Sequence, residues 1–248
     1  MSYKIIALRA LQDNYIWLIQ NQDSAIVIDP TLSEIVIDYL KTQQLNLEAI
    51  LLTHEHADHT GGVKQLLATY SCAVIDNFML QLEDEQTIVI RSFPMIKVIL
   101  TPGHTDKHVC FLFENKHLFC GDTLFSLGCG RVFTGDYLAM YNSLAKIKKL
   151  PPSVSCYPAH EYTLRNLEFC LSIDSDYAYY TQLKLAIEEK LNSKACSLPV
   201  LLKDELAYNL FLRDDVKHLR DIVQSISKTV INDGLEYFTQ LRLLRNEF

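Results

Sequence analysis

Short apolar runs separated by polar loops fill about the first 160 residues of this 248-residue chain. Tyr15 to Ile19, Ala25 to Ile28, Ala49 to Leu52, Ile96 to Leu100 and Val109 to Phe113 are strand-like. Helix-like stretches alternate with some of them, over Ile35 to Lys41 and Gly62 to Tyr70. Asp136 is placed to cap a further helix with Leu138, Tyr141 and Ala145 on one face, and the Pro151-Pro152 pair stops it. Strands and helices mixed in this way predict sheets covered by helices. From about residue 165 the pattern turns helical. Tyr180, Leu183, Ile187 and Leu191 recur at helical spacing, as do Leu219, Ile222, Val223 and Ile226, and Ser193 to Pro199 reads as a loop. The expected division is therefore residues 1–164 and 165–248.

One junction carries the densest chemistry. After the apolar run Ala49 to Leu52 comes Thr53-His54-Glu55-His56-Ala57-Asp58-His59, and then Gly61-Gly62. That order reads as a buried strand, a ligand-bearing loop and a helix start. Imidazole nitrogen and carboxylate oxygen are the usual ligands of zinc and similar divalent ions. His54 and His56 are two apart and project to the same side of an extended segment. Asp58 and His59 are adjacent and can point away from that pair. Four donors suit two neighbouring metals better than one. Further donors follow strand-like segments: His104 in Thr101-Pro102-Gly103-His104-Thr105, Asp122 in Phe119-Cys120-Gly121-Asp122-Thr123, and His160 in Ala159-His160-Glu161. Loops at one edge of a sheet are where sites assemble, and a carboxylate such as Asp122 can bridge two cations.

The motif Thr-His-x-His-x-Asp-His, followed by Pro-Gly-His, Gly-Asp-Thr and a final His, resembles the metallo-β-lactamase superfamily. Gly121 to Phe125, Gly128 to Phe133 and Ala159 to Thr163 bring the likeness closer to glyoxalase II, the hydroxyacylglutathione hydrolases. The resemblance covers essentially the whole chain. It implies an α/β fold, the αββα metallo-β-lactamase sandwich, with a small helical C-terminal domain that contributes to glutathione-conjugate binding. It implies His54, His56 and His104 at one metal, Asp58, His59 and His160 at the other, and Asp122 bridging them with a water or hydroxide. It implies hydrolysis of S-(2-hydroxyacyl)glutathione, S-D-lactoylglutathione above all, to glutathione and D-lactate, the second step of methylglyoxal detoxification. Hydroxide formed at the metals would attack the thioester carbonyl, and a thiolate of pKa about 8.5 can leave without strong acid help. Asp58 is assigned a second role in steering the nucleophile's proton. The thiol conjugate would be held by Arg131, Phe133, Tyr162, Arg242 and Arg245, since guanidinium groups pair with glutathione's two carboxylates. Phe133 stands where some relatives carry a tyrosine, so a phenolic hydroxyl is missing there. Two divalent ions are expected; zinc comes first, with iron or manganese able to use the same donors.

Read without that likeness, Arg242 and Arg245 are a solvated basic helix end, favourable to the helix dipole by roughly 0.3–1 kcal/mol. His108, His117 and His218 match no ligand position and read as structural or exposed, and Cys129 as a small packing residue. Hydrophobic residues are 49% and charged residues 21%, ordinary for a globular enzyme. A net charge of −7 disfavours a nucleic-acid partner. No apolar run approaches the roughly 20 residues needed to span a bilayer. No signal peptide is evident, and the seven cysteines lack paired spacing. The expectation is a cytoplasmic monomer with reduced thiols. Two other functions compete. One is a glutathione persulfide dioxygenase, which uses a single iron and oxygen; the other is a non-catalytic metal-binding protein.

Overall fold

The computed structural model describes residues 2–174, 178–193 and 196–248, and within it two mixed sheets face each other. The first holds β1 (Lys4–Ala10), β2 (Asn14–Gln20), β3 (Ser24–Ile28), β4 (Asn46–Leu51) and β5 (Ala73–Ile75), in that spatial order. Its β3, β4 and β5 run parallel, so each connection must cross over a face. Helix α1 (Ser33–Gln43) makes the first crossover, and α2 (Ala57–Thr60) with α3 (Val63–Thr69) makes the second. After α4 (Asn77–Leu80) come β6 (Thr87–Ile88), β7 (Ile96–Leu100), β8 (Val109–Phe113) and β9 (His117–Gly121). A short hairpin, β10 (Leu124–Phe125) and β11 (Gly128–Cys129), leads to α5 (Tyr137–Lys148) and β12 (Ser155–Pro158). The C-terminal part holds α6 (Thr163–Ile173), α7 (Ala178–Asn192), β13 (Val200–Leu201), α8 (Leu202–Tyr208), α9 (Lys217–Ser227) and α10 (Gly234–Glu247). The second sheet is ordered β13-β12-β9-β8-β7-β6.

Side-chain alternation explains the four layers. Tyr15, Trp17 and Ile19 of β2, Ile26 and Ile28 of β3, and Ala49 and Leu51 of β4 face the second sheet. They meet Val109, Phe111 and Phe113 of β8 and Phe119 of β9. The intervening Ile16, Leu18, Ala25, Val27 and Ile50 turn outward onto Val36 and Leu40 of α1 and Leu66 of α3. On the other side, Cys110, Leu112, Leu118 and Cys120 turn outward onto α5, α6 and the later helices. Both faces of these strands are covered, which is why their sequences are continuous apolar runs. The expected αββα sandwich and helical C-terminal region are what the chain forms. A strand was not anticipated after residue 165, yet β13 pairs antiparallel with β12. Within the expected Ser193–Pro199 loop, residues 194–195 lie outside the described residues, and 196–199 form neither helix nor strand.

Two expected faces are corrected. Asp136 does cap α5, accepting from Ala139 N at 2.8 Å, but the buried stripe is Met140, Ser143, Leu144 and Ile147, and Leu138 is exposed. In α9, Leu219 and Val223 are buried but Ile226 is exposed. No helix among the described residues is long and apolar enough to cross a membrane.

One buried charge is built into the C-terminal part. Glu205 on α8 accepts from Leu127 N at 2.9 Å and from Asn209 Nδ2 at 2.8 Å. Burial pushes its carboxyl up to about 7, against these hydrogen bonds. The folded state therefore binds more protons than the unfolded chain between the ordinary glutamate value and about 7, and stability falls as pH rises through that window. The cost above it is about 3 kcal/mol. Glu205→Gln, which keeps an acceptor oxygen, should raise the melting temperature at pH 8 by several degrees and change it little near pH 4. Thermal unfolding at the two pH values checks this.

Candidate metal centre and anion pocket

All seven expected donors converge at the edge where the two sheets meet. The first sheet's β4 ends in the loop and short helix that carry His54, His56, Asp58 and His59. The second sheet contributes His104 after β7, Asp122 after β9 and His160 after β12. Backbone hydrogen bonds fasten the seam: Val109 N to Thr53 O at 2.9 Å and Tyr15 N to Ala159 O at 2.7 Å. His54, His56 and His104 form one group, and Asp58, His59 and His160 another, with donor atoms of each group within 4.8 Å of one another. Asp122 faces both. Its Oδ2 lies 3.4 Å from His104 Nε2, and its Oδ1 lies 3.5 Å from the Nε2 atoms of His59 and His160. The turn of α2 brings the His59 ring centroid 4.0 Å from that of His54, while its Nε2 faces Asp58 Oδ2 at 3.7 Å and Asp122 Oδ1 at 3.5 Å.

The second partners of the histidines fix which nitrogen is bare. His104 Nδ1 donates to Arg131 O at 2.8 Å, His160 Nδ1 to Asp13 Oδ1 at 2.7 Å, and His59 Nδ1 to Asp29 Oδ2 at 3.0 Å. Thr53 Oγ1 donates to Asp29, so it accepts from His54 Nδ1. In each case Nδ1 is engaged and Nε2 is the nitrogen that faces the cluster. His56 is the exception and presents Nδ1, 3.0 Å from His54 Nε2. His108 Nε2 accepts from Asp122 N, which makes this buried histidine a structural prop.

The donor set fits a bound cation. His59 Nε2 and Asp122 Oδ1 are buried with no hydrogen-bond partner, and both face the cluster. Burial and the surrounding imidazoles drive His54 far below the usual histidine range, so its imidazole is neutral. Burial also pulls on His59, but Asp122, Asp29 and Asp58 overcome it and hold the imidazole up to about 9. That balance records a local excess of negative charge awaiting a cation.

Beside the cluster lies a pocket of about 430 Å³ lined by four arginines, Arg131, Arg165, Arg242 and Arg245. Asp13 and Tyr162 also line it. Asp13 holds His160, and the Tyr162 ring stacks on the His160 ring at 4.7 Å, so the two sites share a wall. In a chain of net charge −7, four clustered arginines make a local anion site.

A family model for the metallo-beta-lactamase superfamily matches residues 11–76 and 80–160, and one for the hydroxyacylglutathione hydrolase C-terminus matches 161–248. A curated hydroxyacylglutathione hydrolase of Neisseria meningitidis serogroup C is 39% identical over 254 aligned residues, covering 99% of this chain and 98% of that one. One from Haemophilus ducreyi is 42% identical, over 86% of this chain and 93% of that one. The chain belongs to the hydroxyacylglutathione hydrolase family of the metallo-β-lactamase superfamily. A B3 metallo-β-lactamase, BLEG-1, shares the fold with a TM-score of 0.63 at 24% identity, over 86% of this chain and all of that one. As a member of this family, the chain carries the His and Asp cluster of a divalent-metal site.

The expected thiol-binding residues do not all land together. Arg131, Tyr162, Arg242 and Arg245 line the pocket. Phe133 is exposed, and its ring stands edge-on to His56 at 5.6 Å and His104 at 5.2 Å, nearer the metal donors. Arg242 is not a solvated helix end. It is buried, and its Nη1 donates to Cys129 O at 2.8 Å. Cys129 is a buried packing residue whose thiol burial pushes up, despite Arg242. Sequence reasoning missed Asp13, Asp29, Arg165 and Asn166. Asn166 is buried and accepts from Arg245 Nη2 at 3.1 Å. The last two had a signal, since they lie on the helical turn that Tyr162 opens.

Close packing around Asp122 leaves no room at Gly130. A Cβ there would lie 1.8 Å from Asp122 O and 3.1 Å from His104 Nδ1. Gly130→Ala should therefore cost about 1–3 kcal/mol and displace Asp122. Thermal unfolding, with metal content measured on the same sample, checks both effects.

Proposed function

We propose that this chain hydrolyses S-(2-hydroxyacyl)glutathione, with S-D-lactoylglutathione as substrate and glutathione and D-lactate as products, the second step of methylglyoxal detoxification. The observation that carries the reading is the shared wall: a two-group metal-donor cluster opens beside a four-arginine pocket, joined by Asp13, Arg131 and Tyr162. His54, His56 and His104 would hold one ion, Asp58, His59 and His160 the other, and Asp122 both. Zinc is the proposed metal. When bound, the ions lower the pKa of water and neutralise charge developing on the thioester oxygen.

The chain's own residues supply the rest. Burial acts to raise Asp58, but His59, Asn14 and His160 outweigh it and hold the carboxyl below its ordinary range. Asp58 Oδ2 is thus an ionised acceptor for the proton of the attacking water. Tyr162 stays protonated, because burial and then Asp13 and Asp122 push its hydroxyl up, so it can donate to the conjugate. The guanidiniums pair with the carboxylates of glutathione and orient the thioester toward the cluster. Burial pushes the thiols of Cys110, Cys120, Cys129, Cys156 and Cys170 up in pKa, which keeps them protonated and poor nucleophiles. The chain acts as a monomer in the cytoplasm, with residues 1–164 as the catalytic domain and 165–248 completing the conjugate site.

The test is hydrolysis of S-D-lactoylglutathione by purified protein, with metals counted on the same sample. Turnover with about two metals per chain is expected. A single iron, no hydrolysis and oxygen uptake with glutathione persulfide would overturn the reading in favour of a dioxygenase.

A further inference from the structure

Five consecutive residues of the β10–β11 hairpin are gripped by side chains of the C-terminal part. Phe125 O and Gly128 O accept from Asn209 Nδ2, at 3.3 and 3.0 Å. Ser126 O accepts from Asn166 Nδ2 at 2.9 Å, and Cys129 O from Arg242 Nη1 at 2.8 Å. Leu127 N donates to Glu205 Oε2 at 2.9 Å, and the same oxygen accepts from Asn209 Nδ2. Asn209 is itself fixed by Phe211 N, which donates to its Oδ1 at 3.0 Å. Glu205 and Asn209 are buried, and neither lines the arginine pocket.

The hairpin needs this outside support. Its strands are two residues each, too short to hold a register alone. Leu127 sits at φ 57°, in the left-handed region that a leucine disfavours. The hairpin's exit is where the chemistry begins. Arg131 lines the pocket and offers its carbonyl to His104, with its guanidinium over the Phe133 ring at 5.6 Å, and Cys129 O anchors Arg242.

We infer that Glu205 and Asn209 are positioning residues for thiol-conjugate binding, acting through the hairpin on Arg131 and Arg242. Removing the Glu205 acceptor leaves Leu127 N as a buried donor without a partner and unties Asn209 from α8, and the hairpin must shift to satisfy that donor. The inference rests on the glutathione-conjugate reading above, and the test separates the two.

Glutathione is titrated calorimetrically into wild-type, Glu205→Gln and Glu205→Met protein, each first checked for cooperative thermal unfolding. Gln keeps an acceptor oxygen at this position; Met keeps only the bulk. The Gln variant should bind within about twofold of wild type and the Met variant about tenfold more weakly. With S-D-lactoylglutathione, the Met variant's KM should rise by a similar factor while kcat changes little. A folded Met variant that binds like wild type overturns the clamp alone, and so does a Gln variant as weak as the Met variant. Wild type that does not bind glutathione overturns the conjugate reading and the clamp together. If the Met variant does not fold, hydrogen exchange on the wild type decides. Glutathione should slow exchange across residues 202–209, and slowing confined to segments lining the pocket overturns the inference.

Discussion

Asp122→Asn should lower turnover of S-D-lactoylglutathione by on the order of a thousandfold and lower the metal bound per chain. Asp122 is the carboxylate that faces both donor groups, one oxygen toward His104 and the other toward His59 and His160. The amide has nearly the same shape, so Gly130 and His108 should still fit around it. What it lacks is the charge and the second donor oxygen. His59 would then lose the carboxylate that raises it most. Turnover and metal content measured on one preparation check the prediction. Wild-type activity with a full metal complement would remove Asp122 from the site.

Arg245→Ala should raise KM about tenfold to a hundredfold with kcat nearly unchanged, because a charge-assisted contact to the conjugate is lost while the reacting centre is untouched. Burial, with Arg242 and Arg165 beside it, lowers Arg245 to about 10, which leaves it charged at neutral pH. Asn166 holds its orientation, and the rings of Phe169 and Phe248 flank it at 5.7 and 5.8 Å. Arg242→Ala is a different experiment despite the similar residue. It frees Cys129 O inside the protein and should lower the melting temperature as well as raise KM. Steady-state kinetics beside thermal unfolding separates the two. A fall in kcat at constant KM for Arg245→Ala would contradict a binding role.

The donors were legible in the sequence because four of them fall within six positions and the others follow strand-like runs. Their supports were not. Asp13 meets His160, and Asp29 meets His59, only after the sheets form, and nothing local marks either carboxylate. The α5 face was misread because Ser143 belongs to the buried stripe, its Oγ donating to Pro102 O at 2.7 Å. A polar residue with a distant partner breaks an apolar pattern without breaking the packing. Arg242 misled for the converse reason, as a charge near a helix end is usually solvated, and here the hairpin covers it.

The division of the donors between the sheets sets a condition on how this protein can be taken apart. Residues 83–86, between α4 and β6, are exposed. A break there would leave His54, His56, Asp58 and His59 on one fragment and His104, Asp122 and His160 on the other. Neither fragment alone would hold the full ligand set for either ion. Hydrolysis would then return only on reassociation, and the reaction itself would report that the two pieces had docked in register.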